Sequence, residues 1–142
     1  MSAQIDKAIV ARWDAKSLDS TFAGGLWAFK APQEETWPYV VLIPISDAPQ
    51  LWTTDSEIRE AVYQFSIWFL EDDASGSPSE DLGDLMDTLK TAFEFAPITI
   101  TGQDVLLFER QGDTRDAEED EVWHGTITYR VRRRIAADYS PV

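Results

Sequence analysis

Three kinds of side chain near the C-terminal end of this sequence could do chemistry. His124 is the single histidine of the chain, and an imidazole can act as general base or metal ligand near neutral pH. Arg130, Arg132 and Arg134 alternate along the stretch TITYRVRRRI. On a strand they project to one side as a short cationic ladder, able to grip phosphates or pair with carboxylates. Just upstream, Asp116, Glu118, Glu119, Asp120 and Glu121 could offer oxygens to a hard cation.

Neither the histidine nor the acids completes a site. The chain has no cysteine and no second histidine, so zinc at His124 would need an all-carboxylate remainder, which zinc rarely accepts. The strand pattern puts Trp123, Ile127, Tyr129, Val131 and Ile135 on the core face. His124, Thr126, Thr128 and the three arginines then share the wetter face, where His124 reads as a surface residue. Calcium loops need oxygens at alternate positions and a glycine for the sharp turn, and the acid run has neither. The acids Asp72, Asp73, Glu80 and Asp81 flank a Ser/Gly/Pro turn, where they offset a helix dipole without catalysis. No GxxxxGK[ST], GxGxxG or nucleophile-elbow serine occurs. The sequence thus points to no catalytic, cofactor-binding or metal-binding residue, and the chain reads as no enzyme.

The arginines must be weighed against the charge of the whole chain. Twelve Lys and Arg against 26 Asp and Glu leave a formal net charge of −14. Counterion release rewards dense positive charge, so this balance opposes binding to a phosphate backbone. Single-strand binders also place stacking aromatics among their cations, whereas Trp123 and Tyr129 lie opposite the ladder. Pairing with carboxylates suits the planar guanidinium fork better. Three forms of pairing stay open. The ladder could join identical copies, with Glu118, Glu119, Asp120 and Glu121 as its complement; it could pair with those acids inside the fold; or it could protect an edge strand by charge.

The elements that must position these groups follow from periodicity. A chain of 142 residues suits one domain, residues 1–142, and its six tryptophans and 44% hydrophobic content fit a packed core. Lack of cysteine fits assembly in a reducing cytoplasm. No apolar run reaches the ~18 residues of a membrane span, and the charged N-terminus does not read as a signal peptide. A first helix is expected over about 3–15, capped by Ser2, with Ile5, Ala8, Ile9 and Trp13 as its apolar stripe. SLDSTFAGG closes at Gly24-Gly25, and LWAFKAP (26–32) reads as a short strand.

PYVVLIPIS (38–46) reads as a strand buried on both faces at its start, with Pro44 marking an edge or a bulge. Residues 47–57 read as a polar loop with Leu51 and Trp52 at its tip, and EAVYQFSIWFLE (60–71) alternates as a strand. A second helix is expected over about 78–95, with Ser77 as N-cap, Pro78 first and Glu80 closing a capping box. Its stripe is Leu82, Leu85, Met86, Leu89 and Phe93. Residues 97–111 read as a hairpin turning at Gly102, 112–121 as an acidic loop, and 122–136 as the last strand. The order predicts an α+β fold: an antiparallel or mixed sheet of about five to six strands, with both helices packed on one face.

In this succession the segments resemble the tail-completion proteins of long-tailed bacteriophages, also called tail terminators or tail-to-head joining proteins. The likeness covers about residues 5–137. It is carried by the opening helix, Gly24-Gly25-Leu26-Trp27, Ala31-Pro32-Gln33 and Pro38-Tyr39-Val40-Val41-Leu42. Further on come the strand around Phe65-Ser66-Ile67-Trp68, the helix after it, and His124-Gly125-Thr126-Ile127 with the basic strand. Residues 47–57 match no family pattern, and the acid run 116–121 is heavier than the family's.

The resemblance implies a virion protein forming a ring of six on the head-proximal end of the tail tube. There it would end tube polymerisation and dock the head. Its implied partners are copies of itself, the major tail tube protein and the head-side connector, with DNA passing through without specific binding. Leu51 and Trp52 are then candidate contacts to tail or connector, unless the tip folds back over Trp68. Arg130, Arg132 and Arg134, with Glu118 to Glu121, are candidate contacts between subunits. The alternatives are another neck or minor tail component, and a nucleic-acid-binding accessory protein using the arginine strand.

Overall fold

Helical and alternating patterns resolve into one sheet carrying both helices on the same side. The computed structural model describes residues 3–28, 36–52, 56–94, 98–118 and 121–136. Helix α1 spans Ala3–Ala15, followed by a 3-10 turn at Leu18–Ser20 and the short strand β1, Leu26–Ala28. Strands β2 (Tyr39–Trp52) and β3 (Ser56–Leu70) lead to helix α2 (Pro78–Glu94). Strands β4 (Gln103–Ala117) and β5 (Val122–Ala136) complete the chain. The five strands lie in the order β1-β2-β3-β5-β4. Only β1 and β2 pair in parallel, so the sheet is mixed and the fold α+β.

Parity sorts the two faces. Ala61, Tyr63, Phe65, Ile67 and Phe69 of β3 join Ile127, Tyr129 and Val131 of β5 in one core. Ile5 and Ile9 of α1 and Leu82, Met86 and Leu89 of α2 pack onto the same side. Gly125 lets α2 approach: a Cβ there would lie 2.8 Å from Met86 Sδ and 3.3 Å from Leu82 Cδ1. At Gly24 the constraint is backbone, since a Cβ would collide with the Thr36 carbonyl oxygen.

Length decides how much of the sheet is covered. A strand of 15 residues such as β3 spans about 50 Å, whereas the 17 residues of α2 span about 25 Å. The helices therefore leave an arm of sheet, formed by the outer parts of β2, β3, β5 and β4, beyond the core.

Several sequence expectations change here. Residues 47–52 and 56–57 are no loop: β2 continues to Trp52 and β3 begins at Ser56, with bulges between Pro44 and Ser46 and between Pro49 and Leu51, and residues 53–55 lie outside the described residues. Their polar composition reflects a place beyond the helices, where one apolar face is not required. Residues 97–111 are no hairpin either. Ile98 and Ile100 are buried without strand pairing, and a turn through Gly102 (φ 76°) feeds β4. Residues 112–117 belong to β4, so the acidic loop shrinks to the turn before β5. At the start of α2 the reaching acid is Asp81, whose Oδ2 accepts from Ser75 N at 2.7 Å, and Glu80 is exposed. Ser2, Pro97 and most of the 26–32 segment beyond β1 lie outside the described residues.

Candidate interaction surface

On the face away from the helices, the register of β5 against both neighbours fixes where the ladder points. Arg132 stands opposite Glu60 of β3 and donates to its Oε2 at 3.0 Å. Arg130 donates to Glu109 Oε2 at 2.7 Å, and its Nε lies 3.9 Å from Glu60. Arg134 lies 3.9 Å from Asp104. The Glu109 hydrogen bond raises the already high pKa of Arg130. Solvent screens such surface pairs, so they contribute little to stability. Within the ladder, Arg130 Nε and Arg132 Nε are themselves buried without a hydrogen-bond partner.

These partners correct two sequence readings. The ladder's intramolecular acids are Glu60, Glu109 and Asp104. Glu118 sits instead 3.7 Å from His124 Nδ1, and Glu121 is an exposed turn residue with φ 62°. Glu119 and Asp120 lie outside the described residues. Edge protection is also excluded, because β5 runs between β3 and β4.

The core-facing side of the arm holds a charged group that sequence reasoning passed over. Arg133 is 1% exposed and donates through Nη2 to both oxygens of Asp47. Arg59 donates from Nε to the same carboxylate at 3.1 Å and from Nη2 to the Asp47 carbonyl at 3.2 Å. Nearby, burial first and the Asp6 carboxylate second push the Tyr63 hydroxyl pKa well up, keeping it neutral. The signal for this cluster was Arg133 itself, which shares parity with Val131 and so needs a buried anion. That anion hid in the stretch read as a loop.

His124 is half-buried rather than a plain surface residue. Its ring stacks on Trp68 at 4.0 Å between centroids and 12° between planes. Burial lowers its pKa, and Glu118 and Asp116 oppose that shift in part. Its Nε2 is buried without a partner. Trp68 is thus faced by His124 at one end of the sheet, while Leu51 lies at the other, so the tip does not fold back over it.

Leu51 is 55% exposed. It pairs with Ile58, which pairs in turn with Arg134. Trp52 ends β2 opposite Glu57, and its side chain is outside the described set. Among the described residues, Ile45 and Leu106, both at bulges, are the other large apolar residues exposed on this sheet. Exposed apolar side chains beside partly exposed arginines suit protein contact. Among the described residues, no three His, Asp or Glu side chains gather to hold a metal ion, and no helix is long and apolar enough to cross a membrane.

Residues 7–134 match the family described as "Tail completion protein gp17". Comparison with curated protein sequences finds no match. The fold is similar to that of a chain from a structure titled "Virion of native gene transfer agent (GTA) particle", with a TM-score of 0.73. Identity is 14%, over 94% of this chain and 95% of that one, a likeness of fold.

Proposed function

Because the chain belongs to the tail completion protein family, which makes it a structural component of a phage-type tail, we propose that it closes the head-proximal end of the tail tube as a ring. Six copies form that ring. One ring face matches the last layer of tube protein; the other differs, so no further tube subunit adds, and it receives the head-side connector. The chain acts by surface recognition and is no enzyme.

The match over residues 7–134 carries this reading. Physical features agree with it. The sheet arm extends past the core, carries exposed Leu51, and holds partly exposed arginines. Arg130, Arg132 and Arg134 are contacts between subunits in this scheme, while Leu51 and Trp52 lie at the end of the arm that meets a partner. A net charge of −14 resists adhesion of the DNA that must slide through. It also weighs against a nucleic-acid-binding role, as does the engagement of each ladder arginine with a carboxylate.

The test is to add the chain to polymerising tail tube protein. Tubes are expected to shorten with dose and to carry the chain at one end, with a sixfold mass for the bound ring. Tubes of unchanged length overturn the reading.

A further inference from the structure

A cleft at the opposite end of the sheet from the arm offers a complement to it. Trp37 and Pro38, just before β2, close this cleft with Phe69 of β3 and Leu85 of α2. Asp81 and Asp84, from the first turns of α2, stand at its margin. Its volume is about 340 Å³, enough for one large aliphatic side chain. Its lining mixes apolar side chains with Thr21 and two carboxylates.

The end of the arm has the inverse character. Leu51 is exposed, and Arg134 lies one strand beyond its neighbour Ile58. Arg134 is half exposed and held only by a 3.9 Å approach to Asp104.

Resting on the ring reading above, we infer that the arm of one copy docks into this cleft of the next. Leu51 enters between Trp37, Phe69 and Leu85, and Arg134 meets Asp84 and Asp81. Charge selects this pairing. Two chains of net charge −14 repel over most of their surfaces, so a contact between copies must set cations against anions. The arm end supplies the cation, and the cleft supplies the anions. Position then sets the symmetry. β2 begins beside the cleft and ends at the arm, 14 residues later, so knob and hole lie about 45 Å apart. A patch that binds a different patch on the neighbour, without the contact being returned, generates a closed ring or a filament.

The chain has no cysteine, which allows a clean test. Arg134→Cys and Asp84→Cys variants, mixed and oxidised at assembling concentration, are expected to form an intermolecular disulfide. Asp84→Arg and Arg134→Asp are each expected to weaken self-association about tenfold, and together to restore it, as read by sedimentation. Circular dichroism checks that the monomer stays folded. Rings that form without the disulfide and ignore both charge reversals overturn the docking and leave the ring standing. A chain that stays monomeric at every concentration, alone and with tail tubes, overturns both.

Discussion

Arg133 Nη2 donates to both carboxylate oxygens of Asp47, at 2.9 and 3.1 Å, across the intervening strand β3. The two residues belong to strands that never touch, so the ion pair braces the arm against splaying. Removing one partner strands the other charge in a buried site, at a cost of about 3–5 kcal/mol. Asp47→Ala is therefore expected to lower the urea midpoint sharply. The double variant Asp47→Leu with Arg133→Met is expected to recover part of the loss, because the buried guanidinium goes with its carboxylate while Arg59 still loses that partner. Equal loss in the single and double variants would show that the brace works by shape instead of charge.

The ladder on the other face should behave differently. Arg132 is partly exposed, and its bond to Glu60 is shared with Arg130. Arg132→Ala is expected to shift monomer stability by no more than about 1 kcal/mol. Arg132→Glu is expected to leave the monomer folded while impairing ring assembly. Sedimentation and thermal melts on the same samples separate the two effects. Assembly that proceeds unchanged removes the ladder from the interface.

Much of the fold was readable because its periodicities were strong. The stripe of Leu82, Met86, Leu89 and Phe93, and the alternation through Tyr63, Phe65 and Ile67, fall on the core that the structure shows. The arm was not readable, because a strand beyond the helices needs no apolar face. Asp47 and Pro49 then look like a loop, although backbone pairing and the Asp47–Arg59 bonds hold β2 to β3 there. The Asp47–Arg133 brace became invisible with it. Residues Ile98 and Ile100 misled in the opposite sense. Their alternation suits a strand, yet they are buried in the core without strand pairing.

Two glycines should respond unequally to alanine. At Gly125 the new Cβ meets Met86 Sδ at 2.8 Å, the flexible end of a side chain that can turn aside. Gly125→Ala is expected to cost about 1 kcal/mol and Gly125→Val about 1–3 kcal/mol. At Gly24 the obstacle is the Thr36 carbonyl, and Gly24 also receives the Trp27 indole N–H on its own oxygen at 2.7 Å. Backbone cannot step aside, so Gly24→Ala is expected to destabilise more than Gly125→Ala. Denaturant titration of both variants checks the order.

His124 gives the chain a pH dependence whose sign follows from its surroundings. Burial lowers its pKa below the usual value, and Trp68, stacked on the ring, offers no charge to compensate. The acids facing it, Glu118 and Asp116, pull the other way but do not reverse the shift. The unfolded chain therefore binds a proton at higher pH than the folded one does. Stability from the neutral, stacked ring is complete above the unfolded pKa of about 6.5 and is lost as pH falls from there through the lowered folded value. His124→Gln is expected to remove this slope between pH 7 and pH 5 and to leave the steeper carboxylate-driven loss at lower pH. Unfolding midpoints for both proteins, taken at half-unit steps, test it. Parallel curves through that window would mean that Glu118 and Asp116 fully offset the burial of the ring.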